Sequence, residues 1–344
     1  MKTTKLYVFS AVCIAFLCFG LSSCTKSVKT VTQTDFAMGS AVTVKLYGYN
    51  EKNLDKLKVT SVIGAVDNAL SKNNSASEVS KINALAGTNE AFEVDSKVYD
   101  YIKQTAEIYS LSGGRAAATS GALTELWGFD NDNFNLPSEA DIKSAMVLCG
   151  DDKIVFDETN RTVALPAGYK LNLGSVGKGI ACDEAVGYFS GMDMTGAVVS
   201  VGGSVATYGV PPTSVKWSVG VRNPFGGENE YFAILSLGNA FVSTSGDYEK
   251  KFTAENGETY FHILDLMTGY PVKTDLTSVT VIAETGLQSD ALSTLCFILG
   301  KENSLDVLNE YDADAVFVYN DKTVFATDGI RDSLKITADG FVLV

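Results

Sequence analysis

Histidine is almost absent from this chain, and several other residue types that build common sites are scarce or wrongly spaced. His262 is the only histidine among 344 residues, so any site that needs an imidazole near neutral pH has one candidate. The six cysteines contain no Cys-x-x-Cys pair, which indicates neither a zinc site nor a disulfide framework. The sequence also lacks a Gly-x-Ser-x-Gly motif, which excludes the nucleophile elbow of the α/β-hydrolases.

Basic residues are outnumbered as well. The chain has 27 lysines and arginines against 41 acidic residues and a formal charge of −14. This balance argues against a nucleic-acid partner, because such proteins need a basic surface. An anionic ligand would need local cations, backbone N–H groups or a metal ion to bind here.

The longest apolar run lies at the N-terminus and is typical of a targeting segment. Lys2 and Lys5 precede an apolar stretch over residues 6–21. Its last residue, Leu21, is followed by two serines and Cys24. This pattern predicts a lipoprotein signal peptide over 1–23, a lipid on Cys24, a tether over 24–31 and a folded domain over 32–344. The alternative is an ordinary secretory signal, and in both cases the protein is exported.

The rest of the chain mixes helical and strand patterns without a steady βαβ alternation, which favours the α+β class. We expect a single large domain with a mixed, largely antiparallel sheet flanked by helices. Strands are predicted over 36–47 and 260–265, and helices over 177–189 and 287–299.

Asp290 and Thr294 are spaced i, i+4 within the second of these helices, which places a carboxylate and a hydroxyl on one face. Such hard oxygen ligands suit Mg²⁺, which keeps several waters or substrate oxygens. The alternative is that Asp290 supports the start of the helix, where acidic residues are favoured.

Two further features have a functional and a structural interpretation. The turn GSVGKG at 174–179 could present backbone N–H groups and Lys178 to a phosphate, although such a turn is more often plain chain reversal. His262 precedes the turn-forming residues TGYP at 268–271. It is either an acid–base group at a strand end or a histidine at the edge of the core.

The ordered series of motifs resembles the FAD:protein FMN transferase family, also called the ApbE family. The resemblance covers about residues 32–330 and rests most strongly on a short series of motifs. These are TSGDY at 244–248, HILD at 262–265 with TGYP at 268–271, SVTV at 278–281 and DALST at 290–294.

The resemblance implies an exported, Mg²⁺-dependent enzyme that cleaves FAD. It transfers FMN to a Thr or Ser hydroxyl of an acceptor protein and releases AMP. Carried over by position, the magnesium ligands would be Asp290, Thr294 and the carbonyl of Ser175, assisted by Ser293. The FAD site would be lined by Met38, Lys178 and Leu264, and His262 would be the base that deprotonates or orients the acceptor hydroxyl.

The chain departs from the family pattern at several positions of the expected flavin site. Alanines replace an aromatic residue and an aspartate at Ala116 and Ala117, which leaves backbone contacts there. Arg115 beside them could supply a cation for a phosphate. Asn73 stands where many members carry an aromatic ring able to stack on the flavin, and Asn172 stands where Asp is common.

These departures keep two alternative functions open beside protein flavinylation. A weakly held flavin would favour hydrolysis of FAD to FMN and AMP, with water as the acceptor. The run of alanines also fits a flavin-binding lipoprotein that has lost its chemistry.

Overall fold

The computed structural model describes residues 28–49, 58–129 and 133–344. The predicted signal peptide, Cys24 and the first residues of the predicted tether lie outside the described residues. The α-helices that it describes are α1 (Val59–Leu70), α2 (Glu78–Ala84), α3 (Ser96–Ser110), α4 (Gly121–Trp127), α5 (Glu139–Met146), α6 (Gly177–Phe189), α7 (Gly286–Leu299), α8 (Lys301–Glu310) and α9 (Asp328–Arg331).

The strands of the first half are short apart from an N-terminal pair. They are β1 (Thr30–Ala37), β2 (Ser40–Tyr47), β3 (Phe92–Glu93), β4 (Val155–Asp157), β5 (Thr162–Ala164), β6 (Gly196–Val201) and β7 (Ser204–Gly209). The second half contains β8 (Trp217–Arg222), β9 (Tyr231–Leu237), β10 (Phe241–Gly246), β11 (Lys251–Thr253), β12 (Thr259–Phe261), β13 (Leu264–Asp265), β14 (Tyr270–Pro271), β15 (Leu276–Ala283), β16 (Asp314–Tyr319), β17 (Thr323–Ala326), β18 (Leu334–Ile336) and β19 (Val342–Leu343).

One large sheet organises the molecule. Its strand order is β1-β2-β6-β7-β10-β15-β16-β17-β19, and its pairs are antiparallel except β17 with β19. The predicted α+β class with a mixed, largely antiparallel sheet is therefore confirmed. Smaller sheets, β18-β9-β8, β3-β5-β4, β11-β12 and β13-β14, flank it.

Helices α6 and α7 pack against each other and against the central strands of the large sheet. The main core lies there, and strand alternation decides which side chains enter it. On β15, Val279 and Val281 belong to this core, whereas Ile282 packs against a second core formed with β9 and β16–β18. A third core surrounds Trp127 beside α4 and α5.

The single strand predicted over residues 36–47 is wrong, because this range covers the last two residues of β1, a hairpin turn and all of β2. Met38 and Gly39 form its turn with φ of 53° and 66°, the left-handed values that tight hairpin turns require. Strand β1 precedes this turn and begins at Thr30, so residues 30 and 31 of the predicted tether pair in the sheet. Thr-rich strands at a sheet edge have little apolar alternation, which is why β1 was missed.

The strand predicted over residues 260–265 was wrong in one respect, because the chain bends at His262 and Ile263. β12 ends at Phe261 and pairs with β11, whereas β13 begins at Leu264 and pairs with β14. The helices predicted over 177–189 and 287–299 are confirmed, and α7 begins one residue earlier. Among the described helices, none combines the length and apolarity needed to cross a bilayer.

Candidate active site

A cavity of about 530 Å³ opens where the hairpin turn, the connection after α1 and the starts of α6 and α7 meet. It collects most of the residues that the sequence singled out. Those that line it are Met38, Asn73, Ala116, Ala117, Asn172, Ser175, Lys178, His262, Leu264, Asp290 and Thr294. Segments far apart in sequence thus line one cavity.

Asp290 joins α7 to the start of α6. Its Oδ2 accepts a hydrogen bond from the backbone N–H of Gly179 at 2.9 Å, so the carboxylate caps a neighbouring helix rather than its own. Thr285 caps α7 itself. Burial raises the pKa of Asp290, and the positive charge of Lys178 opposes this effect. The carboxylate is therefore held in place at the cavity wall, and the alternative prediction that Asp290 supports the start of its own helix is wrong.

The close approach of the two helices depends on a pair of glycines. A Cβ atom on Gly179 would lie 2.0 Å from the carbonyl oxygen of Gly286, and one on Gly286 would lie 2.1 Å from that of Gly179. Because no side chain larger than hydrogen fits at either position, these glycines bring the carboxylate of Asp290 to the start of α6.

Asp183 completes this arrangement in the opposite direction. It lies on α6, and its two oxygens accept the backbone N–H groups of Gly286 at 2.6 Å and Leu287 at 2.8 Å. Each helix therefore provides an acidic residue that caps the other, where the helix dipole favours negative charge. Burial raises the pKa of Asp183 to about 6.

A network of hydroxyl groups surrounds Thr294. The Oγ of Ser245, on β10, lies 3.2 Å from Thr294 Oγ1 and 2.8 Å from Ser293 Oγ. Ser293 also donates to the carbonyl of Asp290 at 2.9 Å. Ser293 is fully buried and does not line the cavity, so its predicted assistance is limited to holding its neighbours. Tyr109 donates to Ser175 Oγ at 2.7 Å.

Sequence reasoning missed Tyr109 and Ser245, which both line the cavity. Tyr109 occupies an ordinary position on the amphipathic helix α3. No local signal separates it from a core tyrosine, because its role depends on the packing of α3 against α7. Ser245 lies in the TSGDY motif, and its position two residues after Ser243 on a strand could have placed both serines on one face.

His262 lies at the bend between β12 and β13 and lines the cavity. Its Nδ1 is 3.3 Å from the carbonyl oxygen of Glu249. Because a carbonyl only accepts, this contact favours the tautomer that carries the proton on Nδ1 and leaves Nε2 as the basic nitrogen. The structure therefore places the histidine at the site rather than in the core.

Arg115 lies elsewhere. Its side chain forms an ion pair with Asp265, with Nε at 3.0 Å and Nη2 at 2.7 Å from Oδ2. It does not line the cavity, so the expectation that it supplies a cation to a phosphate is not supported. The pair joins the alanine run to the HILD motif, because Leu266 also donates its N–H to the Arg115 carbonyl at 3.0 Å.

The backbone of the alanine run is fixed from its other side by Asp151, whose carboxylate accepts the N–H groups of Ala118 at 2.7 Å and Thr119 at 2.9 Å. Asn172 has a local role in the same region. It accepts the N–H of Gly174 at 3.0 Å and donates to Thr124 at 2.9 Å, so it shapes the turn that leads to α6.

The donor set fits a hard cation. In the part of the chain that the structure describes, no three His, Cys, Asp or Glu side chains cluster so that they could hold a metal ion together. Magnesium needs no such cluster, because it is bound through one or two carboxylates and takes its other oxygens from water and substrate. Asp290, Thr294 and Ser175 supply only oxygen donors at one cavity, and the buried carboxylate of Asp290 would gain from a cation.

A family model described as the ApbE family matches residues 38–317. The chain belongs to the ApbE family. Its relatives include the FAD:protein FMN transferase of Treponema pallidum, which is 30% identical over all of this chain and 99% of that protein. The FAD:protein FMN transferase of Klebsiella pneumoniae is 30% identical over 89% of this chain and 95% of its own length.

The fold agrees with this membership. The crystal structure of the ApbE protein from Thermotoga maritima superposes with a TM-score of 0.77 at 30% identity, covering 88% of this chain and 98% of that one. The chain therefore has the ApbE fold over most of its length.

Proposed function

We propose that this ApbE protein transfers FMN from FAD to a Thr or Ser hydroxyl of an exported acceptor protein and releases AMP. The observation that supports this most is the meeting of Asp290, Thr294, Ser175, Lys178 and His262 at one cavity. The names of the T. pallidum and K. pneumoniae relatives specify a transfer of FMN from FAD to a protein, which supports the first part of this proposal.

The cavity residues would have separate roles in a phosphoryl transfer. Asp290, Thr294 and the carbonyl of Ser175 would hold Mg²⁺, which neutralises the charge of a diphosphate when it is bound. Lys178 adds a positive charge beside Asp290. Positioning and charge neutralisation are the main demands of this chemistry, and an acidic chain needs both to accept FAD.

His262 would act as the base that takes the proton of the acceptor hydroxyl. The hydroxyl oxygen of the acceptor forms a bond to the phosphorus on the FMN side of FAD, and the P–O bond to AMP breaks. AMP leaves with that oxygen, while Nε2 of His262 takes the hydroxyl proton. The contact of Nδ1 with the Glu249 carbonyl orients the ring for this task.

A fluorescent-gel assay tests the proposed function. The full-length protein is purified in detergent and incubated with FAD, Mg²⁺ and the exported proteins of the cells that make it. We expect an acceptor that stays fluorescent in a denaturing gel, with AMP released in equal amount. FMN and AMP formed without any acceptor would indicate hydrolysis, and bound but intact FAD would indicate a non-catalytic protein. Both outcomes would contradict the proposal.

We propose further that a lipid on Cys24 anchors the protein to a bacterial membrane on its exported side. The support is the sequence pattern of residues 1–24, which is typical of a lipoprotein signal peptide. Replacing Cys24 by Ser removes the only atom that can carry the lipid, so the variant should move from the membrane fraction to the soluble exported fraction. Retention of the variant in the membrane would contradict the anchor.

A further inference from the structure

The segment between β10 and β11 forms one wall of the cavity beside His262. Glu249 and Lys250 of this segment line the cavity, and the Glu249 carbonyl is the group that faces Nδ1 of His262. Lys250 adopts a left-handed φ of 38°, which is costly for a residue with a side chain. The orientation of the imidazole therefore depends on how this segment is held.

Arg222 contacts the segment from a different sheet. It is the last residue of β8, and its guanidinium carbon lies 4.6 Å from the centre of the Tyr248 ring. Its Nη1 lies 3.9 Å from Oε1 of Glu249. One arginine thus contacts two consecutive residues, and the second of them carries the carbonyl that faces His262.

Tyr248 gives this contact a firm base. A Cβ atom on Gly246 would lie 2.5 Å from Cε1 of the Tyr248 ring, so the ring packs directly on the backbone at the end of β10. A cation over an aromatic ring is attracted by the electrons of the ring face. Arg222 therefore contacts a Tyr248 ring whose position is restricted by the backbone of Gly246.

Stability alone does not explain the position of Arg222. Its side chain is 31% exposed and that of Glu249 is 42% exposed, and ion pairs of such exposure contribute about 0–1 kcal/mol. Within residues 28–49, 58–129 and 133–344, the buried Nε atom of Arg222 has no hydrogen-bond partner, which costs stability. A poorly satisfied arginine beside a site is better explained by what it holds.

We propose that Arg222 is a positioning residue for His262. It fixes Tyr248 and Glu249, so that the Glu249 carbonyl holds the proton on Nδ1 and keeps Nε2 as the base. Arg222 does not line the cavity, so it would contact neither FAD nor the acceptor. The catalytic part of the inference rests on the proposed function, whereas the effect on the imidazole can be measured in the resting protein.

The single histidine makes that measurement direct. In protein labelled with ¹⁵N and purified without a polyhistidine tag, the two imidazole nitrogens of His262 give the only histidine signals in an NMR spectrum. We expect the wild type to show mainly the Nδ1–H tautomer. Arg222→Met should give a mixture of both tautomers, and Arg222→Lys, which keeps a cation over the ring, should lie between them.

Kinetics provide the second readout. Arg222→Met should lower kcat for transfer by about 10-fold, less than the roughly 10²- to 10⁴-fold effect of losing a general base, and leave the KM for FAD unchanged. In a His262→Ala background the same change should have no further effect, because residues that act through one another are not additive. Lys251→Met removes a nearby cation at the start of β11 and should leave both readouts as in the wild type.

Tyr248→Leu provides an independent variant if Arg222→Met does not fold, and it should change the tautomer ratio in the same direction. An unchanged tautomer ratio in Arg222→Met or Tyr248→Leu would overturn the inference. A changed ratio in an enzyme without transferase activity would contradict the proposed function but leave the role of Arg222 intact.

Discussion

Lys178 is the residue whose charge most clearly prepares this site for an anion. The chain carries a formal charge of −14, which disfavours a diphosphate at most of its surface. Lys178 lines the cavity, and its charge acts on the buried carboxylate of Asp290. The sequence could identify this lysine as a candidate from its glycine-rich turn, but only the fold shows that it faces the cavity.

Replacing Lys178 by Met should therefore weaken FAD binding more than it slows the chemical step. We expect the KM for FAD to rise about 10- to 100-fold, since a hydrogen bond to a charged group is worth about 1.5–3 kcal/mol. Steady-state kinetics at several FAD concentrations measure this. Lys170→Met is the matched control, because Lys170 pairs with Glu125 and does not line the cavity. Equal effects of the two changes would refute a specific role for Lys178.

At the scale of secondary-structure elements, the crossing of α6 and α7 decides the geometry of the site. Gly179→Ala should destabilise the protein by about 1–3 kcal/mol, because its Cβ would lie 2.0 Å from the Gly286 carbonyl and overpacking costs this much. It should also lower transferase activity by displacing Asp290. Denaturant unfolding and the labelling assay measure the two effects.

Gly187→Ala on the same helix is the control for this substitution. A Cβ atom there meets nothing within 4 Å, so the change should be neutral or stabilise α6 by up to about 1 kcal/mol through the higher helix propensity of alanine. If both glycine variants lost the same stability, the close contact between Gly179 and Gly286 would not be the cause.

Asp183, which joins α6 to the start of α7, makes the stability of the protein depend on pH. Its pKa is raised to about 6 in the folded protein from an ordinary value of 3.8, so the folded state binds the proton more tightly than the unfolded state. The stability that it contributes is therefore full below pH 3.8 and falls as the pH rises through about 6, by about 3 kcal/mol in total.

Asp183→Asn should remove this dependence. Relative to the variant, the wild type should lose free energy of unfolding between pH 4.5 and pH 7, as measured by urea unfolding at both values. A difference between the two proteins that stays constant over this range would show that Asp183 has an ordinary pKa.

The elements also show how far the sequence can predict this fold. Helix α6 was predicted with its observed ends, because a glycine-rich turn and a run of apolar residues define it locally. The division of residues 260–265 between two small sheets could not be predicted, because pairing with β11 and β14 causes it. The bend between these two sheets contains His262, which lines the cavity.

At the scale of the whole molecule, the site lies where separate parts of the fold meet. Its walls come from the N-terminal hairpin, the α1–α2 connection, α6, α7 and the segments around His262. The ordered motifs predicted that these parts come together, since they resemble a family with a known fold. The positioning contacts of Tyr109, Asp151, Asp183 and Arg222 depend on packing between distant elements, and no local pattern marks them.

The dependence of transfer on Mg²⁺ in Asp290→Asn tests the central claim most directly. The rate of FMN labelling is measured against Mg²⁺ concentration for the wild type and this variant, whose amide can still accept the N–H of Gly179 but carries no charge. We expect a rate at least about 100-fold lower at the same Mg²⁺ concentration, with part of the loss recovered at high Mg²⁺, because losing supporting contacts to a metal alone costs about 10- to 100-fold. An unchanged rate and Mg²⁺ dependence would show that the Asp290 end of the cavity is not where the metal and the diphosphate bind.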